Sequence, residues 1–214
     1  MTLSEMRTQV RAYLNEPTPN FFSNAEINAW LNRAQEMFVR KCPVLEDVAT
    51  SDVNDGVQNY DLPGDCIKVT RVEYDETRLQ EIRVRDYDKM SADNTSEEGT
   101  PAYYFVWNDF IRLWPIPSAD GVEKLKIHYL RTPITMATDG APPEIPQDYD
   151  EALVFYATSR GKMKDGEFQD AQWFEGKFNE LLRDAQARIR HKTSDRFHVV
   201  RDADEEATSS FGIT

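Results

Sequence analysis

The sequence predicts an α+β chain. Two N-terminal and two C-terminal helices form a four-helix base, an antiparallel β barrel or sandwich is inserted between the pairs, and an extended arm closes the C-terminus. Three observations carry this reading. Apolar residues recur three to four apart before Cys42 and again from about Asp148 to His191, the period of amphipathic helices. Between Val57 and Arg131 they alternate instead, as in half-buried strands. Beyond residue 192 neither period persists. The expected division is a helical base of residues 1–56 and 132–192, a β unit of 57–131 and an arm of 193–214.

The first helix is expected over Leu3–Asn15, from the stripe Leu3, Met6, Val10, Leu14 and a capping box of Thr2 with Glu5; it must stop before Pro17. The second, Asn24–Lys41, begins at Ser23 as N-cap. Glu26 stands three residues on for a capping box, and Phe22 with Ile27 can form a hydrophobic staple. Its stripe is Ile27, Trp30, Leu31, Ala34, Met37 and Phe38, and Pro43 ends it. Residues 44–56 read as a polar connection.

Within the β unit, Tyr60–Pro63, Ile67–Tyr74 and Leu79–Val84 read as strands. The apolar phase slips near Thr70–Arg71, where a β-bulge would reconcile Val69 with Val72. Arg85–Met90 has room for one helical turn, and Ser91–Thr100 is polar enough for a surface finger. Ala102–Trp107 and Phe110–Trp114 make a hairpin around Asn108-Asp109, a turn expected to need positive φ at both positions. Pro115 and Pro117 lack backbone donors, so the chain there must be an edge or a crossing point. Leu125, Ile127 and Tyr129 then share the dry face of a last strand.

Thr132–Pro146 carries four prolines and should return extended over the surface. Asp148 and Glu151 are placed to cap a third helix, Tyr149–Lys162. A fourth, Glu167–His191, follows Ala171, Phe174, Phe178, Leu181 and Ala185.

Composition excludes several classes. A formal charge of −13 over 214 residues, with Lys and Arg scattered among more numerous acids, is the wrong electrostatics for gripping a phosphate backbone. No apolar run approaches the ~20 residues that span a bilayer, and the N-terminus has no leader pattern, so no membrane partner and no secretion are expected. Two cysteines far apart, Cys42 and Cys66, point to buried free thiols rather than a disulfide framework or zinc site.

No catalytic constellation stands out. Phosphate loops, nucleophile elbows and metal-ligand spacings are missing, and His128, His191 and His198 lack ligand spacing. Asp148, Asp150 and Glu151 could be drawn as a carboxylate cluster, but acids at a helix start serve as caps and complement its dipole. Tyr103, Tyr104, Trp107 and Trp114 could stack on single-stranded nucleic acid, but hairpin aromatics without a basic groove are core or interface. Neither a catalytic residue, a cofactor nor a metal is therefore expected.

Four stretches together resemble the head-to-tail adaptor proteins of tailed bacteriophages, particularly those of short-tailed phages. They are EPTPNFFSNAEINAWLNRAQEMF from Glu16 to Phe38, YDLPGDCIKVTRVEYD from Tyr60 to Asp75, GTPAYYFVWNDFIRLWPIP from Gly99 to Pro117, and EIPQDYDEALVFYA from Glu144 to Ala157. The resemblance implies a homo-oligomeric ring, usually a dodecamer, docked beneath the portal protein. It would offer a platform to tail and nozzle proteins, with genome DNA passing through its channel without specific binding. Such a protein sits at the head–tail interface of the virion and is assembled in the host cytoplasm. Two other readings are a tail-completion protein without portal contact and a small β-barrel enzyme or ligand-binding protein on a helical base.

The arm completes the expectation. Acidic and Ser-rich, it cannot offset the ~1–2 kcal/mol per residue that backbone ordering costs, so another chain must supply its contacts. The candidate anchors for portal or a neighbour are Phe197, Val199 and Val200 at its base and Phe211 with Ile213 at its tip. Arg196 and Arg201 are placed to meet carboxylates.

Overall fold

The structure, a computed structural model, describes residues 1–92 and 97–194, with side chains as far as Ile189. It is a mixed α+β fold. Helices α1 (Leu3–Tyr13) and α2 (Asn24–Lys41) come first. Strands β1 (Glu46–Val53), β2 (Asn59–Asp61), β3 (Cys66–Tyr74), β4 (Thr77–Arg78) and β5 (Gln80–Glu81) follow, then the short helix α3 (Val84–Met90). The remaining strands are β6 (Glu98–Gly99), β7 (Tyr103–Trp107), β8 (Phe110–Trp114), β9 (Ile116–Pro117) and β10 (Gly121–Arg131). A 3₁₀ turn, Gln147–Tyr149, leads into α4 (Asp150–Lys164), and α5 (Phe168–Ser194) ends the described chain.

Both N-terminal helices start as their sequences require. Thr2 and Glu5 form the reciprocal capping box of α1. Ser23 accepts the Glu26 N–H at 3.1 Å, but the second half of that box does not form. The Glu26 carboxylate turns instead to Lys164 Nζ at 2.8 Å, an ion pair between α2 and α4 that outcompetes the local contact. Between the helices, the buried Arg11 donates to Phe22 O at 2.8 Å and Asn24 Oδ1 at 2.7 Å, pinning the proline-rich joint onto α1. Trp30 and Met37, expected in the α2 stripe, are only half-buried, whereas Ile27, Leu31, Ala34 and Phe38 are fully buried.

Side chains from α1, α2, α4 and α5 share one apolar core, centred on Met6, Ile27, Phe38, Leu153 and Phe178. Helix α4 lies at its centre. Its buried residues, among them Leu153, Val154, Ala157 and Thr158, occur on successive positions rather than on one stripe, because other helices cover it on several sides. Gly161 is part of that packing: a Cβ there would lie 2.6 Å from Leu14 Cδ2, so the bare backbone lets α1 approach α4. The N-cap of α4 is Tyr149, with no side-chain cap bond, in place of the expected Asp148 and Glu151. Asp148 pairs with Arg188 at 3.2 Å, and Asp150 meets the Met1 ammonium.

The strands form open sheets, with no closed barrel among the described residues. One sheet has the order β1-β10-β3-β4, a second β2-β8-β7-β5, and β6 pairs with β9. Most pairs are antiparallel, but the two-residue pairings β5–β7 and β6–β9 are parallel. Val72, Leu125 and Ile127 of the first sheet and Ile111 and Leu113 of the second meet in one core. The segment read as a polar connection contains β1, which pairs along β10 with a register break at Asp52. It carries no apolar alternation because most of its side chains are exposed and its stability comes from backbone pairing.

The phase slip in β3 is a bulge, as expected. Val69 faces Tyr129 and Arg71 faces His128, leaving Thr70 out of register, with its hydroxyl donating to His128 O at 3.0 Å. A second slip leaves Ile67 between Cys66 and Lys68, 40% exposed. The β7–β8 hairpin turns at Asn108-Asp109, with Trp107 paired to Phe110, but only Asn108 takes a positive φ, 52°. Helix α3 is longer than the single turn expected, and Glu98–Gly99 of the expected finger pairs with β9, where the proline-flanked chain leaves the second sheet. Residues 93–96 of that finger lie outside the described residues.

The return segment after β10 is held more firmly than a surface run. Asn32 of α2 donates to Met136 O at 3.2 Å and accepts its N–H at 2.8 Å. Gln35 donates to Ile134 O at 2.9 Å and accepts the Glu144 N–H at 2.8 Å. Two carboxamides thereby replace a neighbouring strand, and Met136 and Ile145 enter the helical core.

Candidate protein interface

The candidate docking residues Arg196, Phe197, Val199, Val200, Arg201, Phe211 and Ile213 lie outside the described residues. Helix α5 runs to Ser194, so Thr193 and Ser194, expected in the arm, belong to its last turn.

Close to that end of α5 is a hollow of about 220 Å³ whose apolar lining includes Phe38, Val44, Pro146, Tyr149 and Ala185. Arg188 stands over the Tyr149 ring at 5.6 Å and pairs with Asp148 and Asp184, both at 3.2 Å. The Tyr149 hydroxyl donates to Asp184 Oδ2 at 3.0 Å. Burial, and then this bond to a carboxylate, raise the Tyr149 phenol above its usual range, so it stays a neutral donor. The hollow is an apolar slot with a charged rim, the arrangement that receives one anchoring side chain of a polypeptide.

A second apolar surface lies around the opposite end of α5. Tyr13 packs on Phe174 at 5.2 Å and Trp173 packs edge-on to Phe174 at 4.9 Å, while Tyr13, Phe21, Phe168 and Trp173 are 41–63% exposed. Lys164 spans from Glu26 to the Phe21 ring, 4.9 Å away. Phe168 and Trp173 fall off the Ala171–Phe174–Phe178 stripe, and that offset was the available sign that they face outward. The hairpin aromatics divide: Tyr104 and Trp114 are buried, Tyr103 is half-buried and Trp107 is 53% exposed, so they do not make one stacking platform.

The three carboxylates that cluster in sequence point apart. Asp148 serves Arg188, Asp150 serves the Met1 ammonium, and Glu151 is exposed. His128 lies 3.4 Å from Glu73 across the sheet, and His198 is outside the described residues. Cys42 is buried, and burial pushes its thiol up to about 11; Cys66 is half-buried rather than buried. No group of His, Cys, Asp and Glu among the described residues could hold a metal ion, and no helix among them is long and apolar enough to cross a membrane. The described surface offers an aromatic end and an apolar slot, features that fit contact with other polypeptides.

A family model described as SU10 adaptor protein matches residues 1–201. The chain belongs to the SU10 adaptor protein family. It is therefore a structural protein of a bacteriophage virion, an adaptor of the head–tail class that its sequence resembles. No curated protein matches the chain. The family match spans both helical pairs, the strands and the sequence up to residue 201, so membership rests on nearly the whole chain rather than on one motif. The SU10 adaptor family is not an enzyme family.

Proposed function

We propose that this chain forms a ring, of twelve copies, beneath the phage portal, joins the capsid to the tail and nozzle proteins, and continues the DNA channel. The observation that carries the reading is the SU10 adaptor match over residues 1–201. The fold supports a division of labour. Helices α1, α2, α4 and α5 serve as a four-helix base, and the β unit, taken from Glu46 rather than from residue 57, projects as a separate platform. Subunits are assembled in the host cytoplasm and come to rest at the head–tail interface.

In this reading the docking arm, expected over residues 193–214, begins after Ser194, where α5 ends. Phe197, Val199, Val200, Phe211 and Ile213 insert into apolar sites on the portal, and Arg196 and Arg201 pair with carboxylates there. Their composition supports it: ordering such a segment costs more than scattered apolar side chains on a solvated tail return. The mass of the purified chain with and without portal tests the ring. Deletion of residues 193–214 tests the arm: a folded chain that no longer joins portal is expected, an unaltered assembly would reject the docking role, and unfolded helices would show that the arm folds back on its own subunit.

A further inference from the structure

The chain carries an excess of acid, and its described arginines that are not exposed mostly pair within the chain. Arg7, Arg11, Arg131 and Arg160 each meet a carboxylate, at 2.9, 3.7, 2.9 and 3.9 Å. Arg112, half-buried in the middle of β8, is different. Its Nε donates to Asn59 Oδ1 at 2.8 Å, and its two terminal nitrogens have no hydrogen-bond or ion-pair partner among the described residues. The guanidinium is instead surrounded by rings: Phe105 at 5.6 Å, Phe110 at 5.7 Å and Tyr87 at 5.8 Å. These line a groove of about 240 Å³ between α3 and the β7–β8 hairpin, with Trp107 and Asp88 also in its wall. Tyr87 is itself wedged against Phe105 and Trp114, at 4.8 and 5.5 Å, so the groove is set by packing.

Rings hold a guanidinium by its face and leave its edge, where the N–H donors lie, available to a planar anion. A carboxylate fits that edge through two parallel hydrogen bonds. Resting on the ring assembly proposed above, we infer that the Arg112 groove receives a carboxylate side chain from a second copy of this chain. The charge argues for that occupant. Copies that each carry −13 repel one another, so a contact between them must set cations of one against carboxylates of the next, and Arg112 is a preorganised cation not spent within its own subunit. Asp88 in the groove wall disfavours a polyanion such as a nucleic-acid backbone more than a single carboxylate.

The test compares the full-length chain with its Arg112→Gln and Arg112→Lys variants by sedimentation across a concentration range, alone and with portal. Removing the guanidinium should raise the concentration for half-association about tenfold, with lysine in between because it offers a point charge rather than a fork. Circular dichroism should hold, while the thermal midpoint should fall modestly because both variants lose the Nε bond to Asn59 and the guanidinium's ring contacts, so association is compared at a temperature where all three chains are folded. Arg112→Gln associating like the wild type overturns the groove while leaving the ring reading intact. A wild-type chain that neither self-associates nor joins portal overturns both. Binding of a single-stranded oligonucleotide that is lost in Arg112→Gln, with association unchanged, would overturn the inference in favour of a nucleic-acid surface.

Discussion

Arg131 and Glu144 form a two-pronged ion pair: Nη1 donates to Oε2 and Nη2 to Oε1, each at 2.9 Å. Arg131 is the last residue of β10 and Glu144 lies in the return segment leading to α4, so the pair fastens the end of the β unit to the chain that re-enters the helices. Glu144 also accepts the Ile134 N–H. The Arg131 bonds hold the Glu144 carboxyl below its ordinary value of 4.5, against the upward push of burial and with help from Ile134.

The pH dependence follows in sign. A carboxylate whose folded value is lowered contributes stability that is complete above the unfolded value and is lost as pH falls through the folded one. The urea midpoint should therefore fall as pH is taken below about 4.5, and Glu144→Gln should flatten that part of the profile while lowering stability at pH 7. An unchanged acid limb in the variant would remove Glu144 from this role.

Two glycines in helices should respond with opposite sign to alanine. At Gly161 the new Cβ meets Leu14 Cδ2 at 2.6 Å and Cδ1 at 2.7 Å inside the core, so Gly161→Ala should destabilise by about 1–3 kcal/mol. Gly176 is exposed, with nothing within 4 Å of the position a Cβ would take, and Gly176→Ala should gain about 0.5–1 kcal/mol from helix propensity. Chemical denaturation of both variants decides it; a gain at Gly161 would mean that α1 and α4 are not in close contact.

Phe178 is 2% exposed and packs on Tyr156 at 5.2 Å, so Phe178→Ala should cost about 3–5 kcal/mol. Trp30, half-buried and 5.9 Å from Phe22, should cost roughly half as much, about 2 kcal/mol. Equal losses at the two positions would contradict their different burial.

Duplex DNA should not bind the isolated chain detectably at physiological salt, because −13 per subunit opposes the phosphate backbone. In the proposed ring, a channel of this charge would let the genome slide rather than hold it. Micromolar affinity in a fluorescence titration would refute that.

The sequence by itself determined the elements whose cause is local. The Thr2–Glu5 capping box, Ser23 as N-cap, the hairpin at Asn108-Asp109 and the bulge at Thr70 each depend on residues within a few positions of one another or on a phase that can be counted. It also determined the acidic charge and carried the family resemblance. The tertiary structure decided what depends on partners distant in sequence. Strand β1 exists because β10 pairs with its backbone, α4 is covered on several sides because other helices surround it, and Glu26 leaves its own cap because Lys164 lies across from it. Asn32 and Gln35 hold a return segment distant in sequence, so nothing local marks their role. Only packing gathers Tyr87, Phe105 and Phe110 around Arg112, since ring contacts from separate elements leave no local period.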